Sequence, residues 1–318
     1  MRILITSVGR RGYLVKYFKE AIKGQGEIFV ADCSDLAPAF YRADKYFLLP
    51  PISSRSYFLE LTKICKENKI NGLVSLNDLE LPVISKNKDK LKKLGVEAIV
   101  PKLKTVEICY DKYKTYLFFK QNDFPTPKTF INLRECLAAI KRNEITFPLI
   151  IKQRKGSASA GIVIVNSAKE AKSEFAKSKD LIIQELIGGQ EYGVDIFCNA
   201  SHELISIFIK KKIKMRAGET DKAVSVYDSR LIDMIKKVVK KIDFYGPIDI
   251  DIFKHGNRYS IIEINPRFGG GYPLAHALKA DFPGKIVKLI NQERVKSDFL
   301  RYPNNIFMMK QDEIIIRR

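Results

Sequence analysis

The stretch "YSIIEINPRFGGGYPL", residues 259–274, places three polar side chains at every second position and then three consecutive glycines. Side chains on a strand alternate between its two faces, so Glu263, Asn265 and Arg267 share one face and the residues between them take the other. A carboxylate oxygen, an amide oxygen and a guanidinium on one face can hold a divalent cation and a phosphate together. The pattern therefore predicts a strand that leads into an ion-binding site.

A second strand upstream carries matching carboxylates. Asp249 and Asp251 alternate with isoleucines in "YGPIDIDIF", and we predict that this strand pairs with residues 258–267. The pair would present only oxygen ligands, which suit Mg2+ better than nitrogen or sulfur ligands do. The flanking apolar residues indicate burial, and unpaired buried carboxylates are costly, so an exposed acidic hairpin is the weaker alternative.

Composition narrows the class of protein. The chain has 318 residues, 46% of them hydrophobic, which is enough for a large core divided into two or three lobes. No apolar run approaches the ~20 residues that span a bilayer, and "MRILITSVGRRGYLV" reads as a first strand and turn rather than a signal peptide. The five cysteines form no CxxC pair and the three histidines are scattered. We therefore expect a soluble cytoplasmic protein without disulfides, a zinc site or a Cys/His nucleophile.

The formal net charge is +20, from 56 basic and 36 acidic residues. An anionic partner such as nucleic acid, a membrane surface or a phosphorylated substrate would explain this excess. A lysine-rich solvated surface is the simpler explanation, because runs such as "KNKDKLKKLG" fit amphipathic helices. No dedicated nucleic-acid-binding motif is present, and both explanations stay open.

The first hundred residues alternate predicted strands (2–7, 27–34, 70–76, 96–100) with predicted helices (13–23, 56–68, 82–95). This succession implies a parallel sheet with ligands at the carboxyl ends of its strands. Two of these ends are polar. In "SVGRRG" the pair Arg10 and Arg11 suits an anionic group or a plain tight turn, and "LNDLEL" supplies cleft or helix-capping side chains, namely Asn77, Asp78 and Glu80.

The next region begins with a predicted helical segment at 106–123, followed by a strand, a loop of small residues and another strand in "FPLIIKQRKGSASAGIVIVNS". Lys152 lies at the end of the first strand. The loop from Lys155 to Gly161 contains only small side chains, which would let backbone N–H groups close over phosphate oxygens. An ordinary hairpin turn explains the same loop equally well.

Taken in order, "DKYK", "IIKQRKGSASAG", "QEL", "GQEYGVD", "DIDIF" and "IIEINPRFGGGYP" resemble the ATP-grasp superfamily, and within it the single-unit members similar to the carbamoyl phosphate synthase large subunit. The resemblance implies an α/β fold with three parts. These are an N-terminal parallel-sheet pre-ATP-grasp domain (1–103), a small grasp lobe with a linker helix (104–186) and a large grasp lobe (187–318).

The resemblance also implies roles for individual residues. Lys112 and Lys152 match the lysines that contact the nucleotide phosphates, and Glu191 matches the residue that binds the ribose. The flap that closes over the phosphates matches Lys155, Gly156, Ser157 and Gly161, and the adenine hinge matches Gln184, Glu185, Leu186 and Ile187. Glu263 and Asn265 match metal ligands, and Arg267, together with Lys152, matches the groups that stabilise the transferred phosphoryl group. The first metal ligand is Asp249 or Asp251, with Asp251 preferred because it directly precedes the apolar pair that opens the hairpin turn.

The implied activity is that of a ligase that uses ATP with Mg2+ or Mn2+. It would convert a small carboxylate to an acyl phosphate, which an amine then attacks to give an amide, ADP and phosphate. We expect the substrates to contact Arg216, Glu219, Gly269 and Gly270. The sequence is compatible with a monomeric protein and with a homodimer. Two alternatives remain: a carbamate-phosphorylating subunit like that of carbamoyl phosphate synthase, and a basic protein that binds nucleotide or RNA without catalysis.

Overall fold

The structure is a computed structural model that describes residues 1–156 and 161–316, so the predicted flap residue Ser157 lies outside the described residues. The first hundred residues build a parallel sheet, as predicted, and its strand order is β3-β2-β1-β4-β5. Its strands are β1 (Arg2–Thr6), β2 (Glu27–Asp32), β3 (Lys45–Leu48), β4 (Gly72–Ser75) and β5 (Glu97–Ala98). Its helices are α1 (Gly12–Ile22), α2 (Tyr57–Glu67), α3 (Leu81–Lys86) and α4 (Lys88–Lys93).

Two details of this sheet differ from the sequence prediction. Strand β3 was not predicted, because it has only four residues and its mostly exposed side chains show no alternation of apolar with polar residues. The single helix predicted over 82–95 is interrupted at Asn87, which ends α3 and precedes α4. Strand order reverses beside β1, whose neighbours are β2 and β4, so a crevice opens at the carboxyl ends of β1 and β4.

The second part combines helices with an antiparallel sheet in the order β6-β9-β7-β8. Its elements are α5 (Leu103–Tyr110), α6 (Lys112–Gln121), β6 (Thr129–Phe130), α7 (Leu133–Lys141), β7 (Leu149–Gln153), β8 (Val163–Val165), α8 (Ala168–Phe175) and β9 (Leu181–Glu185). The predicted single helix over 106–123 is broken at Asp111, whose extended backbone ends α5. The Asp111 carboxylate accepts hydrogen bonds from the backbone of Tyr113 and Lys114, and therefore caps α6.

The third part is a six-stranded antiparallel sheet in the order β14-β13-β10-β11-β12-β15. Its strands are β10 (Gln190–Cys198), β11 (Leu204–Arg216), β12 (Glu219–Ser225), β13 (Gly246–His255), β14 (Arg258–Asn265) and β15 (Phe307–Met309). Its helices are α9 (Ser229–Val239), α10 (Tyr272–Ala277) and α11 (Phe282–Ile290). The predicted pairing of β13 with β14 is present.

One apolar core joins the first and third parts. Ile3 and Phe18 of the N-terminal part pack in the same buried cluster as Phe268 and Phe282. Gly72 leaves room for this contact, because a Cβ there would lie 2.2 Å from Cδ1 of Ile290. The crevice of the parallel sheet is therefore held against the end of β14.

Each sheet is built from one of the three predicted ranges, and the boundaries after residues 103 and 186 stay a prediction. Across residues 1–156 and 161–316, no helix combines the length and apolar character that crossing a bilayer requires.

Candidate active site

The acidic residues predicted as metal ligands meet on one face of the third sheet. Asp251 lies directly opposite Glu263, and Asp249 lies directly opposite Asn265. Asp249 and Asn265 are buried. Because residues opposite one another on neighbouring strands present their side chains on the same face, the four form two adjacent layers.

Sequence analysis missed two lysines that reach this face from β11. Lys212 Nζ lies 2.7 Å from Oε1 of Glu191 and 2.5 Å from Oδ1 of Asp251. Burial opposes the charge of Lys212, but Asp251, Asp249 and Glu191 outweigh it and raise the lysine's pKa. An ammonium group thus lies against the predicted first metal ligand, and the metal-binding role of Asp251 stays a prediction.

Lys210 occupies the second layer. Its Nζ lies 2.5 Å from Oδ2 of Asp195 and 3.9 Å from Oδ1 of Asp249. Both lysines cross the intervening strand β10 above Gly193, where a Cβ would lie 3.1 Å from Cε of Lys210 and 3.2 Å from Cε of Lys212. The run of three consecutive lysines at 210–212, inside an otherwise apolar strand, was the available signal, but it also fits a solvated strand.

The candidate nucleotide site is a cavity of about 270 Å³ between the second and third parts. Its lining combines predicted phosphate, ribose and metal ligands with apolar side chains: Lys112, Lys152, Glu191, Asp251, Glu263, Ile150, Leu186, Ile187 and Phe253. Burial lowers the pKa of Lys152, while Glu263 partly opposes that effect. Lys112 Nζ lies 3.9 Å from Glu263 and donates a 2.6 Å hydrogen bond to the carbonyl of Gly156.

The predicted hinge and flap border the same cavity. The side-chain amide of Gln184 donates a hydrogen bond to Oγ1 of Thr129 at 2.8 Å, and the Glu185 carboxylate accepts one from the backbone N–H of Lys128. Lys155 and Gly156 line the cavity, whereas Gly161 is not among its lining residues. Gly156 and Gly161 have φ values of +123° and +68°, which residues that carry a side chain rarely adopt.

Within the described ranges, no group of three or more His, Cys, Asp or Glu side chains converges into a metal site. Asp251, Glu263 and Asn265 supply two carboxylates and one amide. A divalent cation held there would need further oxygen ligands, such as those of a nucleotide phosphate.

Arg267 lies where the first and third parts meet. Its Nη2 and Nε donate to Oδ2 of Asp78 at 2.8 and 3.0 Å, and its Nη1 lies 3.5 Å from Oδ2 of Asp249. Burial opposes the guanidinium charge, but Asp78 and Asp249 overcome it and raise the pKa of Arg267. Asp249, the alternative metal ligand, therefore contacts Arg267 and approaches Lys210, and its carboxylate fills the space that a Gly269 side chain would need.

Two of the four residues predicted to meet substrates line a second cavity, of about 470 Å³, and Gly269 and Gly270 are not among its lining residues. Arg216 and Glu219 line it, and Gly270 lies against Glu219, where a Cβ would be 3.0 Å from that residue's Cβ. Arg216 is paired with Asp221 at 3.0 Å and with Asp312 at 2.7 Å. The substrate roles of Arg216 and Glu219 stay a prediction.

The C-terminal segment, residues 307–316, forms one wall of this second cavity, and sequence analysis did not place it there. Lys310 Nζ lies 2.9 Å from Oε2 of Glu219, whose other oxygen accepts from Arg11 at 2.8 Å. Arg10 lies 3.7 Å from the same carboxylate. These contacts join residues 91 to more than 200 positions apart, so local sequence patterns carry no trace of them.

The ion pairs of Glu219 predict a pH dependence of stability. Burial raises the pKa of Glu219, but Arg11 and Lys310 overcome it and lower the value from 4.5 to about 2. The carboxylate therefore contributes on the order of 3 kcal/mol above pH 4.5, and this contribution is lost as pH falls towards 2. We expect Glu219→Gln to lower the free energy of unfolding at pH 7, with the deficit shrinking from pH 5 to pH 3 in urea titrations. A deficit that does not vary with pH would contradict this, and exposed Glu67→Gln is the control.

Two family models match the chain. One, described as "PylC-like, N-terminal domain", matches residues 3–99, and the other, described as "ATP-grasp domain", matches residues 109–271. The chain belongs to the ATP-grasp family. The predicted resemblance is confirmed, as is the α/β fold with an N-terminal parallel sheet.

Other ATP-grasp relatives agree with this assignment. N5-carboxyaminoimidazole ribonucleotide synthase of Saccharolobus solfataricus is 22% identical over 228 residues, covering 68% of this chain and 61% of the relative. The arginine-specific carbamoyl phosphate synthase large chain of Bacillus subtilis is 20% identical over 199 residues, covering 58% of this chain and 19% of the relative. This ATP-grasp chain therefore spans less than two thirds of these curated relatives.

A solved structure shows the same fold at low sequence identity. The biotin carboxylase domain of the Hydrogenobacter thermophilus 2-oxoglutarate carboxylase, in complex with MgADP, ADP and bicarbonate, superposes with a TM-score of 0.77. The identity is 15%, and the match covers 96% of this chain and 73% of that one. At this identity the match is evidence for the fold alone.

Proposed function

We propose that this ATP-grasp protein is an ATP-dependent carboxylate–amine ligase. The observation that carries the proposal is that one cavity is lined by both candidate phosphate lysines, Lys112 and Lys152, and by the opposed carboxylates Asp251 and Glu263. A site that only bound nucleotide would not need Arg267 beside it, buried and fixed by two carboxylates. The names of the relatives, which are synthases and a ligase, support the same class.

ATP would bind with its adenine at residues 184–187, its ribose on Glu191 and its phosphates on Lys112 and Lys152. Asp251, Glu263 and Asn265 would hold Mg2+ or Mn2+, which when bound neutralises phosphate charge. Lys212 would release Glu191 and Asp251 for these roles and turn towards the phosphates.

The chemistry requires no protein nucleophile. An oxygen of the acceptor carboxylate attacks the γ-phosphorus, the bond to the ADP oxygen breaks, and Arg267 and Lys152 stabilise the charge on the transferred group. The amine then attacks the acyl carbon of the resulting acyl phosphate. Phosphate leaves with its bonding electrons, and the nitrogen loses a proton to give the amide.

The acceptor would enter through the second cavity. Glu219 lines this cavity and packs against Gly270, which lies a few residues beyond the end of β14. Its lining has one more basic than acidic side chain, which favours an anionic molecule: Arg10, Lys16, Arg42, Arg216 and Lys310 against Glu219, Asp221, Asp312 and Glu313. We infer a small carboxylate such as an amino acid, with Arg10 the better candidate to bind it because Arg216 is engaged by Asp221 and Asp312.

The test is ADP formation with Mg2+ and ATP against a panel of the twenty L-amino acids, small dicarboxylates and bicarbonate, each with and without pooled amines. We expect turnover that needs one carboxylate and one amine. Turnover with bicarbonate and ammonia alone would favour the carbamate-phosphorylating alternative. Absence of turnover on the whole panel, together with salt-dependent RNA binding, would favour the binding protein instead.

A further inference from the structure

Asp78, at the carboxyl end of β4, is a buried carboxylate with one oxygen in use and one without a partner. Its relative exposure is 7%, and its Oδ2 accepts both hydrogen bonds from Arg267. Its Oδ1 is buried and has no hydrogen-bond partner among residues 1–156 and 161–316. Leaving a buried carboxylate oxygen unpaired is costly, so this atom suits a donor that a ligand would bring.

Asp78 also lines a small cavity at the candidate reaction centre. The cavity holds about 10 Å³, room for about one water molecule or one amino group, and its lining includes Lys112, Gly156, Glu263 and Asn265. These are the residues assigned above to the phosphates, the flap and the cation. The N-terminal part of the chain therefore contributes a carboxylate beside the position proposed for the transferred phosphoryl group.

The two neighbouring carboxylates differ from Asp78 in their partners or in their position. Glu80, two residues along, is fully buried and bonded to Ser7, Tyr57 and Ser75. Asp249, on the other side of Arg267, also has a buried oxygen without a hydrogen-bond partner, but it lies near Lys210, packs against Gly269 and lines none of the three cavities described here. Asp78 is thus the carboxylate of this crevice with an oxygen both unpaired and next to the reaction centre.

We propose that Asp78 binds the attacking amine of the ligase reaction and accepts its proton. This inference rests on the proposed function. When the new C–N bond forms and the bond between the acyl carbon and the phosphate oxygen breaks, phosphate departs with the electron pair. The nitrogen must then lose one proton, which Asp78 takes and passes to solvent. The substrate class assigned to this position is a primary amine.

Asp78→Asn separates the two half-reactions. The asparagine keeps an oxygen for Arg267 but cannot take a proton. Wild type, Asp78→Asn and the exposed control Asp35→Asn are given MgATP and the twenty L-amino acids, first with hydroxylamine, a weakly basic nucleophile that traps acyl phosphates as hydroxamates without needing a protein base. The amino acids then serve as their own amines, and amide products are measured by mass spectrometry.

We expect amide formation by Asp78→Asn to fall by about 100-fold, the scale of general-base catalysis, while hydroxamate formation falls by less than about tenfold. Asp78→Glu, which keeps a proton acceptor, should regain part of the lost amide formation, and Asp35→Asn should form both products as the wild type does. Thermal unfolding of each variant checks that it is folded.

The contrary results are distinct. Equal losses of hydroxamate and amide in Asp78→Asn would mean that Asp78 only positions Arg267. Unchanged amide formation would mean that Asp78 takes no part in the reaction. Either result overturns the inference about Asp78 but does not contradict the proposed ligase activity. Wild-type protein that forms no hydroxamate from any amino acid would overturn the assignment of amino acids as substrates and this inference with it.

Discussion

Glu263→Gln is expected to lower ADP formation by about 10²- to 10³-fold while nucleotide affinity changes by less than about tenfold. Glutamine keeps the shape of the side chain but removes the negative charge opposite Asp251, so a divalent cation would lose one of its two carboxylates. The hinge at 184–187 and the side chains of both phosphate lysines are retained, which is why binding should survive, although Lys112 and Lys152 lose the neighbouring charge of Glu263.

Two measurements on Glu263→Gln separate these effects. ADP release is followed with the carboxylate and amine that the wild type uses, and ATP affinity is measured by calorimetric titration. The matched control is Glu67→Gln, an exposed position on α2. If Glu263→Gln turns over at the wild-type rate, the carboxylates of β13 and β14 take no part in the reaction. If the loss of ATP affinity equals the loss of rate, Glu263 contributes to binding only.

Lys210→Met is expected to lower the free energy of unfolding by about 3–5 kcal/mol, the scale for breaking a buried ion pair. Lys210 is 0% exposed, and its ammonium lies 2.5 Å from the carboxylate of Asp195, which is itself 1% exposed. Burial raises the pKa of Asp195 to about 6 even though Lys210 opposes that effect. Without Lys210, the Asp195 carboxylate would lose its ion pair and stay buried beside Asp249, with the weaker influence of Lys212 remaining on β11.

A double variant tests whether the lost pairing is the cause. Lys210→Met combined with Asp195→Asn removes both charges, so it should recover a large part of the stability that Lys210→Met loses in urea unfolding at pH 7. Lys214→Met is the control on the same strand, because Lys214 is exposed. If the double variant is as unstable as the sum of the single variants, packing of the lysine stem rather than charge pairing accounts for the effect.

The strand face that carries the candidate metal site was predictable because its signal is local. Alternation along "DIDIF" and "IIEIN" determines which side chains share a face, and the short connection between the two runs makes them neighbours. The crevice at the ends of β1 and β4 was predictable for a similar reason, since alternating strands and helices allow few arrangements other than a parallel sheet. The break at Asp111 was not, because the residues around it have continuous helical character.

By itself the sequence determined the strongly periodic elements, the parallel N-terminal sheet and the oxygen-rich face of β13 and β14, all of which follow from periodicities of two and 3.6 residues. Only the tertiary structure decided how charges from distant segments combine. Lys210 and Lys212 reach the carboxylates because β11 lies one strand beyond β10 and Gly193 leaves the space between them open. Asp78 meets Arg267 across 189 positions, and Lys310 meets Glu219 across 91. Such pairings depend on strand order and on the packing of one part against another, and no local pattern encodes either.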